Sequence, residues 1–146
     1  MAEEKYLARY EKSADGNYLK ASRGILDETV TTTADVTLNQ EQSGCVVFLN
    51  GAVTHDVTLP APLAGLKFRF VCKDSTAVVD IVEGSSGNLI GSVVDIAGTG
   101  DTAVSGDTKI IFDTTAVPGD FVDVVCDGSD WYVSGLCSAA DAVLFG

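Results

Sequence analysis

Few residues of this chain are of a type that does chemistry, and their spacing does not favour it. One histidine, His55, stands in an alternating stretch, Val53-Thr54-His55-Asp56-Val57-Thr58-Leu59. A Ser-His-Asp triad needs an imidazole as base, oriented by a carboxylate. Asp56 cannot be that carboxylate, because successive strand residues point to opposite faces. His55 therefore reads as a structural or surface histidine. The four cysteines, Cys45, Cys72, Cys126 and Cys137, are far apart, form no C-x-x-C pair and stand apart from His55. A zinc site normally shows paired, closely spaced ligands. Three of the four sit in apolar strand patterns, where cysteine behaves as a small hydrophobe. They read as buried free thiols, and a disulfide would form only after release into an oxidising medium.

Two further patterns invite chemistry and give little. Gly98-Thr99-Gly100-Asp101-Thr102-Ala103 matches G-x-G-x-x-A after an apolar strand. The dinucleotide fingerprint also needs a helix directly behind it to hold the pyrophosphate. Val104-Ser105-Gly106-Asp107 is a poor helix, so the segment reads as a loop. Asp101, Asp107, Asp127 and Asp130 are loop acids that could offer oxygen to calcium, but EF-hand spacing is absent. Paired carboxylates could serve glycoside hydrolysis, yet most of the acids are Asp beside Gly or Ser. Asp is favoured there for local turn hydrogen bonds. The expectation is a protein that is no enzyme and carries no cofactor and no metal.

The elements that hold these residues are strands. Past Thr29 the apolar pattern has period two. Val30 to Leu38 is rich in β-branched residues, and Cys45 to Asn50 is a short apolar run. Phe68, Phe70 and Cys72 alternate with Lys67, Arg69, Val71 and Lys73. Further runs span residues 53–59, 78–83, 89–96, 109–113, 120–127 and 131–136. Gly, Asn, Asp, Ser or Pro punctuate nearly every gap, which gives about nine short strands. The fold class expected is all-β, an antiparallel β-barrel or β-sandwich. Asn50-Gly51 predicts a type I′ hairpin, and Asp127-Gly128 a second hairpin. Pro60 and Pro62 cannot donate to a ladder and so end a strand. Residues 97–107 read as a long exposed loop.

Residues 1–28 are different and form an N-terminal arm, with the domain running over 29–146. Glu3 to Tyr10 could make a turn or two of helix, with Tyr6, Leu7 and Tyr10 on one weak apolar face. Ser13 to Asn17 breaks it with turn formers. The remainder is expected to be extended. The arm buries too little apolar area to fold alone. Yet Tyr6, Tyr10, Tyr18, Leu19, Ile25 and Leu26 are too apolar for an inert linker, so the arm should order against a partner.

Charge sorts the partners. The chain of 146 residues carries a net charge of -12. Lys5, Arg9, Lys12, Lys20 and Arg23 lie in the arm, while from Thr29 onward only Lys67, Arg69, Lys73 and Lys109 oppose fifteen acids. Such a body repels phosphates and anionic lipid, so no nucleic acid and no membrane is expected as partner. No apolar run approaches the ~20 residues of a membrane-spanning helix. Met1-Ala2-Glu3-Glu4-Lys5 opens neither a secretory signal nor a transit peptide, and folding in the cytosol is expected.

Three segments carry a resemblance. They are Thr37 to Gly44; Thr58-Leu59-Pro60-Ala61-Pro62 running on through Gly65, Phe68 and Phe70; and Val117-Pro118-Gly119-Asp120 leading to Asp127-Gly128-Ser129-Asp130-Trp131-Tyr132-Val133-Ser134-Gly135. Over roughly residues 35–137 the chain resembles small β-domain capsid decoration (cement, head-stabilising) proteins of tailed bacteriophages. The resemblance implies a structural virion protein on the outer capsid surface, made in the host cytoplasm, with the major capsid protein as partner and a homotrimer as its form. The arm, through Tyr6, Arg9, Tyr10, Tyr18, Leu19, Ile25 and Leu26, would be the capsid-binding piece. Similar modules also occur in fibres, so the alternative is a fibre-associated host-recognition or glycan-binding β-module. Its exposed aromatics would have to come from Trp131, Tyr132 and the arm tyrosines.

Overall fold

The computed structural model describes residues 10–12, 18–20, 29–84, 87–96, 98, 100–103 and 106–146, the first two segments in backbone only. In the arm, β1 (Tyr10–Lys12) and β2 (Tyr18–Lys20) pair antiparallel as a small sheet of their own. The body holds β3 (Thr29–Thr32), β4 (Val36–Thr37), β5 (Val46–Asn50), β6 (His55–Thr58), β7 (Lys67–Asp74), β8 (Val79–Val82), β9 (Leu89–Asp95), β10 (Asp101–Thr102), β11 (Lys109–Phe112), β12 (Phe121–Cys126), β13 (Trp131–Cys137) and β14 (Val143–Phe145). A short 3-10 turn, Gln40–Gln42, lies between β4 and β5 and is closed by a capping box with Asn39.

The body is all-β, as expected. A seven-stranded sheet in the order β10-β9-β13-β12-β7-β5-β3 faces a five-stranded sheet in the order β14-β11-β8-β6-β4. Inward residues of both form one core. Val93, Val122, Phe70 and Val47 come from the larger sheet, and Ile110, Ile81 and Val57 from the smaller. The Lys67–Asp74 strand has the expected register, with Phe68, Phe70 and Cys72 buried and Lys67, Arg69 and Lys73 outside. The two sheets are mixed, which corrects the purely antiparallel expectation. β3, β5 and β7 run parallel in one sheet, while β4, β6 and β8 run parallel in the other.

This parallel half arises because the chain crosses from one sheet to the other after each strand. Each pair, β3–β4, β5–β6 and β7–β8, is one turn of a flattened coil, and the three turns stack. The corners stack with them. The Leu38 N–H donates to Thr58 O at 2.9 Å, and the Leu59 N–H to Val82 O at 2.8 Å. The triplet Val36-Thr37-Leu38 recurs as Val57-Thr58-Leu59 at the equivalent corner. The stretch from Val30 to Leu38 is thus not one strand but two, in different sheets.

Asn50-Gly51 is such a corner, not the type I′ hairpin that its sequence predicts. Its flanking strands, β5 and β6, lie in different sheets, and Gly51 is not among the positive-φ residues that such a turn needs. Gly51 is there for closeness. Its N–H donates to Asp74 O at 2.8 Å, and a Cβ would sit 2.5 Å from Ala77 O. The other predicted hairpin is present: β12 and β13 pair antiparallel through Cys126 and Trp131, around Asp127-Gly128. Past the coil the chain turns back on itself. β11 and β12 pair antiparallel with β8 and β7. β10 and β14 then meet, the Phe145 N–H donating to Asp101 Oδ2 at 2.8 Å, which ties the two sheets at that end.

Candidate binding surface

The groups with chemical potential are tied into the fold. His55 points inward from β6 and is buried. Its Nδ1 lies 2.8 Å from Val53 O and its Nε2 2.8 Å from Thr32 Oγ1. A carbonyl only accepts, so Nδ1 carries a proton, and in the neutral ring Nε2 accepts from the Thr32 hydroxyl. Asp56 faces the other way and is exposed, as the alternation requires. All four cysteines are free and buried. Burial pushes the Cys72 thiol up to about 11, with Asp120 and Asp74 adding to it and a hydrogen bond with Ser75 opposing it. Burial also raises the Cys137 thiol, with Asp120 adding to it. Neither is poised as a thiolate nucleophile.

The loop acids bind their own turns. Asp127 Oδ1 accepts from the N–H groups of Asp130 and Ser129, both at 2.9 Å, and Oδ2 from the Tyr132 hydroxyl at 3.2 Å. These bonds, that from Asp130 foremost, hold the Asp127 carboxyl below its ordinary range, and the bond to Asp127 raises the Tyr132 hydroxyl. Asp130 Oδ1 accepts from the backbone and side chain of Asn88. Asp101 follows Gly100 in the short strand β10 rather than opening a helix. Among the described residues no group of three or more His, Cys, Asp or Glu is placed to hold a metal ion. Buried Asp120 accepts from the Val117 and Ser138 N–H groups and the Ser138 hydroxyl, so it is a structural tie.

What the body offers to a partner is a surface. The outward residues of the seven-stranded sheet form rows across its strands. One row runs Val94, Leu136, Phe121, Val71, Phe48. Another runs Ile90, Tyr132, Val125 and ends on Lys67. Between them lie Ser92, Ser134, Asp123 and Arg69. Ile90, Val94, Val125, Tyr132 and Leu136 are each 39–46% exposed. Strands spaced about 4.8 Å apart make the first row about 19 Å long. Apolar residues scattered singly on a surface carry no message, but two unbroken rows of them on one sheet, flanking a polar row, mark a contact face.

Arg69 stiffens the centre of this face. Its Nε and Nη2 donate to the two oxygens of Asp123 at 2.7 and 2.6 Å, and its guanidinium lies 4.7 Å from the Phe121 ring centroid. The bond to Asp123 raises the Arg69 pKa further above its ordinary value. The outside of the five-stranded sheet differs. There Asp80, held 2.7 Å from Lys109 Nζ, stands beside exposed Asp56, and the bond to Asp80 raises the Lys109 pKa.

The face was not singled out by the sequence reading, although its signal is present. With Trp131 and Val133 inward, alternation points Tyr132 and Leu136 outward, and with Leu89 and Val93 inward it does the same for Ile90 and Val94. Trp131 is fully buried, its ring centroid 6.1 Å from that of Phe68, so it packs the hairpin and is no glycan platform. Of the arm residues expected to bind, Tyr10, Tyr18 and Leu19 lie in β1 and β2. Tyr6, Arg9, Ile25 and Leu26 fall outside the described residues, as does nearly all of the expected helical turn at Glu3 to Tyr10. No family model, no curated protein and no solved structure matches this chain.

Proposed function

We propose that this chain is a structural protein that decorates and stabilises the outer surface of a phage capsid as a homotrimer, with the major capsid protein as its partner. The observation that carries the adhesive part of this reading is the seven-stranded sheet with two apolar rows uncovered on its outer face. A two-sheet body with a broad contact face suits a protein that works by holding others in place. The phage part rests on the sequence resemblance of residues 35–137. A binder that grips two or more neighbouring shell subunits favours the assembled state by mass action. Several arms on one oligomer make individually weak contacts sufficient. The arm residues Tyr6, Arg9, Tyr10, Tyr18, Leu19, Ile25 and Leu26 supply those contacts in this reading. Full burial of Trp131 removes one aromatic from the fibre alternative.

The test is to mix the purified protein with heads assembled without it and to image them by electron microscopy. Density on the outer shell at regular positions is expected, together with heads that resist heating better. Absence of binding to heads, with binding to fibres or to host glycans instead, overturns the proposal.

A further inference from the structure

We propose that the outer face of the seven-stranded sheet is the surface on which a second copy of this chain docks. This rests on the self-associating part of the reading above and is independent of its shell part. The first argument is apolar. The rows Val94-Leu136-Phe121-Val71-Phe48 and Ile90-Tyr132-Val125 are set on one face by the strand register, on either side of the row Ser92-Ser134-Asp123-Arg69. Nothing among the described residues covers their exposed members.

Charge selects the occupant. The chain carries -12, so two copies meet acid to acid over most of their surface. Of the four cations that follow Thr29, three, Lys67, Arg69 and Lys73, are exposed on the outward side of β7, within this face. Of the carboxylates at this face, Asp123 is held by Arg69, and Asp127 accepts from its own turn and from the Tyr132 hydroxyl, so three cations stand against two acids. This is therefore the place where an acidic copy meets excess positive charge, with Lys67 and Lys73 left to pair with it.

Area is sufficient as well. Seven strands spaced about 4.8 Å apart, six to eight residues tall at the centre, give a face of about 600–700 Å². That approaches the ~800 Å² per partner of a standard stable interface.

Sedimentation velocity of the full-length protein, without heads, tests this across micromolar concentrations. The wild type is expected to associate. Leu136→Glu, which points outward and leaves the core intact, is expected to weaken association about tenfold or more. The pair Lys67→Glu with Lys73→Glu is expected to weaken it in the same direction. Val53→Glu, exposed at the β5–β6 corner and outside the strands that form the rows, is expected to change nothing. Circular dichroism confirms that each variant keeps its strands. A wild type that stays monomeric, or a Leu136→Glu variant that associates as the wild type does, overturns the proposal. So does a monomer whose β9 and β13 amides become protected from exchange only on heads, because the occupant is then the shell. Binding to heads is scored separately, so loss of the capsid reading and loss of this one are distinct results.

Discussion

His55 and Thr32 join the two sheets through the core, Nε2 to Oγ1 at 2.8 Å, with both residues only 3% exposed. His55 belongs to β6 of the five-stranded sheet, and Thr32 closes β3, an edge strand of the seven-stranded one. A buried polar group left without its partner costs about 1–3 kcal/mol. Thr32→Val keeps the shape and removes the hydroxyl donor, leaving the Nε2 lone pair stranded. It is expected to lower the unfolding free energy by about 1–3 kcal/mol, read from urea denaturation. A neutral result would mean that the bond adds nothing net to the first turn of the coil.

Gly51→Ala tests the stacking of the corners. Its Cβ would meet Ala77 O and Asp74 O, both backbone, at 2.5 and 2.6 Å. Neither can step aside without moving the third turn of the coil. Overpacking of this kind costs about 1–3 kcal/mol, occasionally more. The variant is expected to unfold at lower urea with the slope of its transition unchanged.

That corner also shows where the sequence was readable. Alternation identified the strands because burial in a two-sheet body repeats every second residue, and Phe68, Phe70 and Cys72 are buried as it requires. Pairing was not readable in the same way. Asn50-Gly51 satisfies a hairpin rule and a close-approach rule equally, and only the neighbour at Asp74–Ala77 decides between them. The recurrence of Val36-Thr37-Leu38 at Val57-Thr58-Leu59 was the available sign of a coil. β10 and β14 went unnoticed because two or three residues show no period. The apolar rows need the registers of β9, β13, β12 and β7 at once, and no single strand contains that information.

Phe70→Ala measures the core. Phe70 is fully buried beside Phe68, ring centroids 6.3 Å apart. Emptying such a site typically costs about 3–5 kcal/mol. Val71→Ala, one position along and facing outward, is expected to cost under about 1.5 kcal/mol. Denaturant titration of the two variants separates the faces of β7. Equal losses would mean that the register is shifted by one residue.

Cys72 predicts an alkaline limb of stability. Its thiol is raised from 9.0 to about 11 in the folded chain by burial first, then by Asp120 and Asp74. Between these values the unfolded chain has released a proton that the folded chain still holds. Stability is therefore full below about pH 9 and falls as pH rises toward 11. Cys72→Ala is expected to flatten that fall while lowering stability at neutral pH through the small cavity it leaves. The native protein should also resist alkylation by iodoacetamide at pH 8 at all four cysteines, which are buried, and react once unfolded. Mass spectrometry of native and denatured samples checks this directly.

The arm separates docking from folding. In the described residues its strands β1 and β2 pair with each other, apart from the two sheets of the body. A lone two-stranded hairpin is marginal in water, so its apolar residues need a surface to order on. The body begins its own pairing at Thr29, where β3 joins β5, and its core residues all lie beyond that point. Deleting residues 1–24 is accordingly expected to leave the body folded, with its thermal midpoint changed little, and to abolish binding to undecorated heads. The arm holds three of the four tyrosines and most of the basic residues. Tyrosine buries large area at low entropy cost and is enriched in interfaces. The cations would pair with acidic shell surface and make binding weaken as salt rises. Cosedimentation with heads at two salt concentrations, alongside sedimentation of the free protein, reads docking and self-association separately. Normal head binding by the truncated chain would exclude the arm as the docking piece. Loss of the oligomer with the fold intact would assign the arm to a neighbouring copy, in place of the sheet face.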